Sequence, residues 1–399
     1  MSKRILFLTF FYPPDLSAGA FRACSLVKVL QRYTGQDVQL EVLTTQPNRY
    51  SSYVAQVESL EESPGLYVRR VHLPQVREGF IGQAISFWRY ARKVSRLVST
   101  EEYDLVVATS SRLMTAVLGA WVAYRRKARL YLDIRDIFVE NLSVLFPRSL
   151  ATPLGWFFGA LERWSLNRAD KVNLVSEGFL GYFQPRYPGR QFSVFSNGVD
   201  DAFTDCAFGS LLAEAVGQPL QVLYAGNVGD GQGLHLILPD LAERMRGRVH
   251  FRVVGAGGRL EALRDEVARR SINNVELLPP VAREQLLQLY GAADVLFLHL
   301  NDFPAFKRVL PSKLFEYAAT GKPIWAGVSG YAAGFIYREV GNVAVFNSCD
   351  VGGAIQALET LTLGITDRAG FVEIYSRERI MDDMACDILQ LLGPFDVGR

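Results

Sequence analysis

The sequence predicts an α/β protein made of two Rossmann-like domains, each with a doubly wound parallel sheet. Its 399 residues, 49% apolar and 21% charged, have the composition of a globular protein and the length of two or three domains. Short apolar runs alternate with amphipathic helical stretches, and the alternation starts again near residue 220. Repeated strand–helix–strand order is typical of parallel sheets covered by helices on both faces.

The apolar runs define the expected order of elements. In the first half we expect strands at 4–10, 38–44, 103–109, 129–134 and 171–176. In the second half we expect them at 220–226, 250–257, 274–279, 293–300 and 322–328. Residues 191–203 (QFSVFSNGVDDAF) read as a strand, an Asn-Gly turn and the hinge. The predicted domains are 1–195 and 196–374, facing a central cleft, with a C-terminal helix from about 375 to 399 packing back on the first.

Charge and cysteine content exclude several classes. The net charge of +2 indicates no nucleic-acid partner, although residues 1–200 hold 25 Lys and Arg against 17 Asp and Glu. The four cysteines are far apart, and the four histidines form no metal motif, so we expect free thiols and no bound metal. These features favour an ordinary soluble globular protein over a disulfide scaffold or a metalloprotein.

The N-terminus, MSKRILFLTFFYPPD, resembles a signal peptide but is better explained as a first strand. Its apolar run stops after eight residues at two prolines, and no small-residue cleavage site follows. The longest apolar stretch, 113–123, is shorter than the roughly 18 residues that cross a bilayer. We therefore expect a cytoplasmic protein without an integral membrane segment.

Ligands of doubly wound sheets bind at the carboxyl ends of the strands, where two early candidates occur. In FFYPPDLSAGAFR (10–22), Gly19 precedes a helix start, and Arg22 is placed to contact a phosphate or a carboxylate; an ordinary turn is the alternative. In LYAGNVGDGQGLH (223–235), a dense glycine loop favours phosphate approach, although it lacks the Lys-Ser/Thr of a P-loop.

The third candidate, VVGAGGRL (253–260), imitates a dinucleotide-binding loop. Gly255 and Gly257 fit that pattern, and Glu276 stands at the usual distance for a ribose carboxylate. Leu260 occupies the third glycine position, so binding of NAD is disfavoured.

The fourth candidate, LPSKLFEYAATGKP (310–323), carries most of the functional prediction. Pro at the first helical position, or Ser312 as a cap, would begin a helix. The free amides of Ser312, Lys313 and Leu314, with the Lys313 ammonium, would bind a diphosphate, and Glu316 would bind ribose hydroxyls. The alternative is an ordinary amphipathic helix.

These residues resemble the donor motif of glycosyltransferase family 4, which has the GT-B fold. PSKLFEYAATGKPI matches its carboxyl half, and supporting matches in family order are PPDLSAGAFR, SNGVD, YAGN…QGL, VVGAG, NNVELLPPVAREQLLQLYGAADV and FVEIYSRERI. They extend over nearly the whole chain, and the bacterial O-antigen and capsule subgroup is the most similar.

The resemblance implies retaining transfer of a sugar from a nucleotide-diphosphate donor, without a metal cofactor. The acceptor would bind mainly the first domain and the donor the second. Glu316 matches the glutamate that binds the ribose, and Lys313 with its adjacent amides matches the turn that binds the phosphates. Pro280 and Val281 match the positions that contact the base. Gly19 matches the loop that covers the diphosphate. The glycine-loop residues Asn227, Gln232 and Gly255 belong to the same expected donor site.

Three positions depart from the family pattern. Arg308 stands where many members have a sugar-binding glutamate, and Asn227 and Gln232 stand where many have an arginine and a lysine. We expect Lys313, Arg308 and Arg22 to compensate for the missing cations. The lost glutamate suggests a deoxy or acetamido donor sugar.

The segment LDIRDIFVEN (132–141) is predicted to contribute residues that contact the acceptor. Asp136 resembles an acidic or histidine position near the reacting sugar, and Arg135 and Arg308 complete the candidate catalytic set. Asp136 would orient the acceptor hydroxyl or stabilise positive charge. A structural Arg–Asp pair at a strand end is the alternative.

Residues 77–100 form an amphipathic pattern that suggests membrane contact. Phe80, Ala84, Phe87, Ala91 and Val94 share one predicted face; the basic residues on another are Arg89, Arg92, Lys93 and Arg96. Attraction to anionic lipid, beside a polyprenyl-linked or oligosaccharide acceptor, would place the protein at the cytoplasmic face of the inner membrane. A helix covering the sheet with a solvated basic edge is the alternative.

The sequence therefore predicts a glycosyltransferase of surface polysaccharide synthesis. A nucleotide-sugar epimerase of similar fold would require a histidine and carboxylate set that the sequence does not display. A GT-B protein that binds a nucleotide sugar without catalysis is the remaining alternative, because of Asn227, Gln232 and Arg308.

Overall fold

The computed structural model of the chain describes residues 2–15, 17–35, 37–47, 57–74, 80–110, 112–204, 208 and 218–393. Of Phe80, 143–145, Arg148 and Thr204 it describes the backbone alone. The chain divides into two units: unit 1 is 1–197 with 378–399, and unit 2 is 198–377. The predicted boundaries were 195/196 and about 375, and the end of the expected C-terminal helix, 394–399, lies outside the described residues.

The elements are numbered here along the chain. The strands are β1 (Lys3–Leu8), β2 (Val38–Thr45), β3 (Leu60–Ser63), β4 (Leu66–Val71), β5 (Leu105–Ser110), β6 (Arg129–Ile134), β7 (Lys171–Leu174), β8 (Ser193–Val194), β9 (Leu220–Ala225), β10 (Val249–Val254), β11 (Val275–Leu278), β12 (Val295–His299), β13 (Ile324–Gly327) and β14 (Val343–Phe346). The helices are α1 (Ala18–Thr34), α2 (Phe80–Leu97), α3 (Leu113–Arg126), α4 (Phe138–Leu145), α5 (Arg148–Arg168), α6 (Leu180–Arg186), α7 (Asp201–Thr204), α8 (Leu234–Arg244), α9 (Leu260–Arg269), α10 (Arg283–Ala292), α11 (Ser312–Ala319), α12 (Tyr331–Glu339), α13 (Val351–Leu358), α14 (Ala369–Ile374) and α15 (Arg377–Leu389).

Unit 1 is a twisted eight-stranded sheet in the order β3-β4-β2-β1-β5-β6-β7-β8. All its pairings are parallel except β3 with β4. Apolar residues of β1, β2 and β5 pack on one face against α1 and α15, with Met381, Met384 and Ile388 fully buried. Helix α15 is therefore part of the core of unit 1.

The hairpin of β3 and β4 was missed by the sequence analysis. β3 (LEES) is exposed throughout, and β4 (LYVRRV) contains two arginines, so neither shows the apolar run that indicates a buried strand. Arg70 is nevertheless buried in β4, where it pairs with Glu61 of β3 at 2.7 Å and donates to the Pro13 carbonyl at 3.0 Å. Partners distant in sequence make this strand possible.

Unit 2 is a six-stranded, wholly parallel sheet in the order β11-β10-β9-β12-β13-β14. One face packs against α10, α11, α12 and α14, and the other against α8, α9 and α13. Strand β14 was not predicted, because four residues following Gly341 and Asn342 give a weak signal. The predicted fold of two parallel-sheet α/β domains is confirmed.

None of the described helices combines the length and the apolar character that crossing a membrane requires. Within the same residues, no three His, Cys, Asp or Glu side chains are grouped closely enough to hold a metal ion.

Candidate functional site

Helix α11 begins at the carboxyl edge of the sheet in unit 2, shortly after β12. Pro311 precedes the helix with extended backbone angles, and Ser312 is its first residue and makes no side-chain cap, so both predicted versions of the helix start are wrong. The Leu314 amide donates to the Pro311 carbonyl at 3.0 Å, which contradicts the prediction that it is free. The Ser312 and Lys313 amides have no intrahelical acceptor and no partner within the described chain.

The residues of α11 divide by face as an amphipathic helix requires. Leu314, Phe315, Tyr317 and Ala318 are buried, whereas Ser312, Lys313 and Glu316 are half-buried. Since residues three and four apart lie on one side of a helix, the hydroxyl, ammonium and carboxylate share a face. Packing of the apolar face therefore presents all three polar groups together.

The Lys313 side chain lies across the glycine at the end of β9. A Cβ at Gly226 would be 2.0 Å from Lys313 Cε and 2.5 Å from Nζ, and Gly226 has a φ of +148°. Any other residue there would displace the ammonium. The second and fourth predicted loops therefore meet, and glycine is needed where they do so.

Glu316 is held by a hydrogen bond from a neighbouring helix. Its Oε2 accepts a hydrogen bond from the Tyr290 hydroxyl of α10 at 3.2 Å. Burial, reinforced by the Glu316 charge, raises the pKa of Tyr290 well above its ordinary value, so this hydroxyl stays protonated and donates. Tyr290 packs edge-on against Tyr317, whose hydroxyl accepts from the Ala225 amide at the end of β9 at 3.3 Å.

Asn227 and Gln232 hydrogen-bond to each other and close the glycine loop. Asn227 Nδ2 donates to Gln232 Oε1 at 2.7 Å, and the Gly229 amide donates to the same oxygen at 3.3 Å. The Asn227 carbonyl accepts from the Tyr224 hydroxyl at 2.6 Å. Neutral amides thus stabilise the loop internally at the positions where cations were expected from the family.

His299, which the sequence analysis did not select, supports the same loop from the end of β12. Its Nε2 accepts from the Cys349 amide at 3.0 Å, so Nδ1 carries the proton and donates to the Gln232 carbonyl at 2.6 Å. Burial lowers the pKa of His299 to about 4, which keeps the ring neutral. Its position at the end of a predicted strand is the sequence feature that could have indicated a role for His299 near the site.

Gly255 allows its loop to pack closely against the loop that begins at Gly226. A Cβ there would be 1.8 Å from the Gly226 carbonyl oxygen, and the Gly226 amide donates to Val254 at 2.7 Å. Glu276, the possible ribose ligand of a dinucleotide, pairs instead with Arg252 at 2.7 Å. This arrangement gives the NAD alternative no support.

The other candidates of unit 2, Pro280, Val281 and Arg308, lie close to this edge. Pro280 and Val281 follow β11 and are half-buried, and Val281 packs against the core beneath α11. Arg308 is half-buried at the end of the 3₁₀ turn Pro304–Arg308 that precedes α11. Their predicted contacts with the base and the sugar stay predictions.

In unit 1, the predicted contact of Arg22 with a phosphate is wrong. It is 1% exposed, and its Nε and Nη2 donate to the two carboxylate oxygens of Asp133 at 3.1 and 3.0 Å. Nη2 also donates to the Phe195 carbonyl at 2.9 Å. Asp133 accepts further from Asn173 at 2.7 Å and Thr109 at 3.1 Å. Arg22 is therefore the centre of a buried structural network.

Gly19 and Arg135 come together at the carboxyl edge of unit 1. Ser17 caps α1 by accepting from the Ala20 amide at 3.1 Å, and a Cβ at Gly19 would be 2.2 Å from Arg135 Nη1. Arg135 follows β6, and the next residue, Asp136, keeps contact with solvent. Desolvation nevertheless raises the pKa of Asp136 to about 6, against the opposing effect of the Arg135 guanidinium.

The comparisons with known proteins agree with the fold and motif order. Residues 23–198 match the Glycosyl transferase 4-like domain, and residues 219–362 match the Glycosyl transferases group 1 domain. The chain belongs to glycosyltransferase family 4. This confirms the resemblance stated from the sequence. The first matched segment lies in unit 1 except for its last residue, and the second lies in unit 2.

One curated relative of this family-4 chain is the putative colanic acid biosynthesis glycosyl transferase WcaI of Escherichia coli (strain K12). The two are 33% identical over 175 aligned positions, and the match covers 41% of this chain and 41% of the relative. The match thus spans less than half of the relative's length.

Solved structures share the fold over nearly the full length. Sucrose-phosphate synthase from Thermosynechococcus elongatus has a TM-score of 0.67 at 15% identity, covering 98% of each chain. Anabaena Alr3699/HepE, solved in complex with UDP, has a TM-score of 0.59 at 17% identity, covering 98% of this chain and 96% of that one. These likenesses establish the GT-B fold.

Proposed function

We propose that the chain is a retaining, metal-independent glycosyltransferase that uses a nucleotide-diphosphate sugar. The observation that carries the proposal is the meeting of Lys313 with Gly226, which sets an ammonium and two helix-start amides at one point of a strand edge. An anion at a helix N-terminus gains from the amides and from the helix dipole. The diphosphate of the donor fits this chemistry.

The donor nucleoside extends from this point along the same helix face. The Glu316 carboxylate, one turn beyond Lys313, would accept hydrogen bonds from the two ribose hydroxyls, and Pro280 and Val281 would contact the base. UDP in the Anabaena relative supports a nucleoside diphosphate as donor product. The absence of the family glutamate at Arg308 supports a deoxy or acetamido sugar.

The reaction requires little acid–base machinery from the protein. In a retaining front-face transfer, the leaving diphosphate takes the proton of the attacking hydroxyl as the sugar–phosphate bond breaks and the new glycosidic bond forms. Asp136 and Arg135 would orient the acceptor and stabilise charge. The acceptor would be a polyprenyl-linked or oligosaccharide intermediate of surface polysaccharide synthesis at the cytoplasmic face of the inner membrane, a setting that the name of the colanic acid relative supports.

Calorimetric titration with UDP, GDP and dTDP tests the donor site. Wild type should bind one of them, and Lys313→Met should weaken that binding about 10- to 150-fold, because a charge-assisted hydrogen bond is worth about 1.5–3 kcal/mol. Glu316→Gln should also weaken it, whereas Glu284→Gln, an exposed carboxylate on α10, should leave it unchanged. Binding by both site variants at the wild-type affinity would overturn the assignment.

The Asn227–Gln232 pair favours a second candidate, a protein that binds a nucleotide sugar without transferring it. Two cations that would stabilise the leaving diphosphate are replaced by amides committed to each other. Acceptor-dependent release of nucleotide distinguishes the candidates: the enzyme releases nucleotide and loses this activity in Glu316→Gln, whereas the binding protein releases none.

A further inference from the structure

Three helices lie side by side on one face of the sheet in unit 1. Helix α3 packs against both α2 and α5. Each connects parallel strands and therefore begins near the carboxyl edge of the sheet and ends near its amino edge. Asp136 lies at the same carboxyl edge, because it is the second residue after β6.

The first halves of the two outer helices are apolar and exposed. Residues 80–88 of α2 and 149–158 of α5 contain no charged residue. Their exposed large side chains are Ile81 (75%), Ile85 (39%), Trp88 (59%), Leu150 (54%), Trp156 (81%) and Phe157 (59%). Soluble proteins rarely expose so many large apolar groups on one surface.

The core does not require these side chains. Helix α2 buries Phe87, Tyr90 and Val94, so the predicted apolar face is right at Phe87 and Val94. Ala84, which was assigned to that face, is exposed, because the buried stripe passes through Tyr90. The exposed apolar residues form a second face on the same helix.

The second halves of the helices are basic. The sequences of α2, α3 and α5 contain nine Lys and Arg, eight of them in the second halves, and one acidic residue, Glu162. Glu162 is buried and accepts from the Tyr187 hydroxyl at 3.0 Å, so it offers no negative charge to the surface. The exposed cations of the second halves include Arg89, Arg92, Lys93, Arg96, Arg125, Arg163 and Arg168.

We infer that this α2–α5 face, defined by the exposed apolar and basic residues above, binds an anionic lipid bilayer in a tilted orientation. The first halves of α2 and α5 enter the interfacial layer, where tryptophan and phenylalanine are favoured. The basic second halves lie on anionic headgroups. The carboxyl edge, with Asp136, then stands beside the acyl region, where a lipid-linked acceptor presents its sugar.

The charge pattern favours a bilayer over a second copy of the chain. Two copies joined through this face would bring their cations together without carboxylates to balance them. An anionic surface satisfies the same groups and accepts the aromatic side chains as well. The purpose of the contact rests on the proposed lipid-linked acceptor, but the binding itself requires neither donor nor acceptor.

Vesicle sedimentation tests the face with three double variants. Trp156→Ser/Phe157→Ser removes apolar groups, Arg92→Gln/Lys93→Gln removes charge, and Tyr337→Ser/Arg338→Gln is a matched control in α12 of unit 2, where Tyr337 is 72% exposed. The probes are vesicles of phosphatidylcholine alone and with about one third phosphatidylglycerol, at about 0.05 and 0.5 M salt.

Wild type and the control should bind the anionic vesicles, and more weakly at high salt. The charge variant should bind about 30-fold more weakly, since each surface cation contributes roughly a factor of five, and the apolar variant should lose binding at both salt concentrations. Lipids brominated along the acyl chains should quench wild-type tryptophan fluorescence more than that of Trp88→Phe/Trp156→Phe.

Two results would overturn the assignment: no salt-sensitive binding by wild type, or a dimer that the apolar variant converts to a monomer. Nucleotide binding, measured on the same variants without vesicles, should be unchanged. Nucleotide binding therefore tests the proposed donor site, and vesicle binding independently tests the proposed membrane face.

Discussion

Replacing Gly226 with alanine should specifically displace the Lys313 ammonium. The added Cβ would stand 2.0 Å from Lys313 Cε, whereas carbon atoms in contact are separated by about 3.5–4.0 Å. The lysine side chain must therefore move by about 1.5–2 Å, enough to break a hydrogen bond to a bound phosphate. Loss of a charge-assisted bond worth about 1.5–3 kcal/mol predicts about 10- to 150-fold weaker binding of the nucleoside diphosphate.

Backbone strain is a second effect of this substitution, and a control separates it. Gly226 has a φ of +148°, which alanine rarely adopts, so some stability should be lost as well. Gly247 also has a positive φ, +75°, but a Cβ there would meet nothing within 4 Å. Gly247→Ala should therefore lower the melting temperature without changing nucleotide affinity.

A double-mutant cycle gives the decisive measurement. Calorimetric affinities are compared for wild type, Gly226→Ala, Lys313→Met and the double variant. If alanine acts by moving the ammonium, it should have little further effect once Lys313 is methionine. Equal losses in both backgrounds, or wild-type affinity in Gly226→Ala, would refute the proposed contact.

Three further predictions concern buried and titrating groups. Arg22→Met should lower the free energy of unfolding by about 3–5 kcal/mol in urea titrations, because it leaves the Asp133 carboxylate buried and unpaired, and adding Asp133→Asn should recover part of the loss. Because the folded state keeps His299 neutral, with a pKa lowered to about 4, stability should fall by about 3 kcal/mol as the pH drops from 6.5 to 4, and His299→Gln should flatten this dependence. Partial desolvation raises the pKa of the Asp136 carboxyl to about 6, so, if the carboxylate orients the acceptor, kcat/KM should fall below pH 6 and Asp136→Asn should remove that fall.

Much of the candidate donor site could be predicted because its parts are short and local. The sequence alone identifies the glycine loop beginning at Gly226, the polar face of 312–316 and the strands that precede each of them. Parallel strands bring such loops to one edge, so a common site for both could be expected. The closeness of Lys313 to Gly226 could not, since the two are separated by 87 positions and depend on how α11 packs.

Arg22 shows the opposite outcome. Its position near a helix start made it a reasonable phosphate ligand, and no local pattern revealed its partners Asp133 and the Phe195 carbonyl, more than 100 residues away. The charge of a side chain is visible in the sequence, but its burial depends on the rest of the fold. The same reason explains the buried Arg70 of β4 and the unpredicted support by His299.

For this protein the sequence by itself determined the alternation of strands and helices, the central strands of the two sheets and the family motifs, because these follow from periodicity and turn chemistry within a few residues. The tertiary structure alone decided which charges are available to a ligand and which are neutralised inside. That decision depends on contacts between distant residues, where burial makes an unpaired charge too costly to keep.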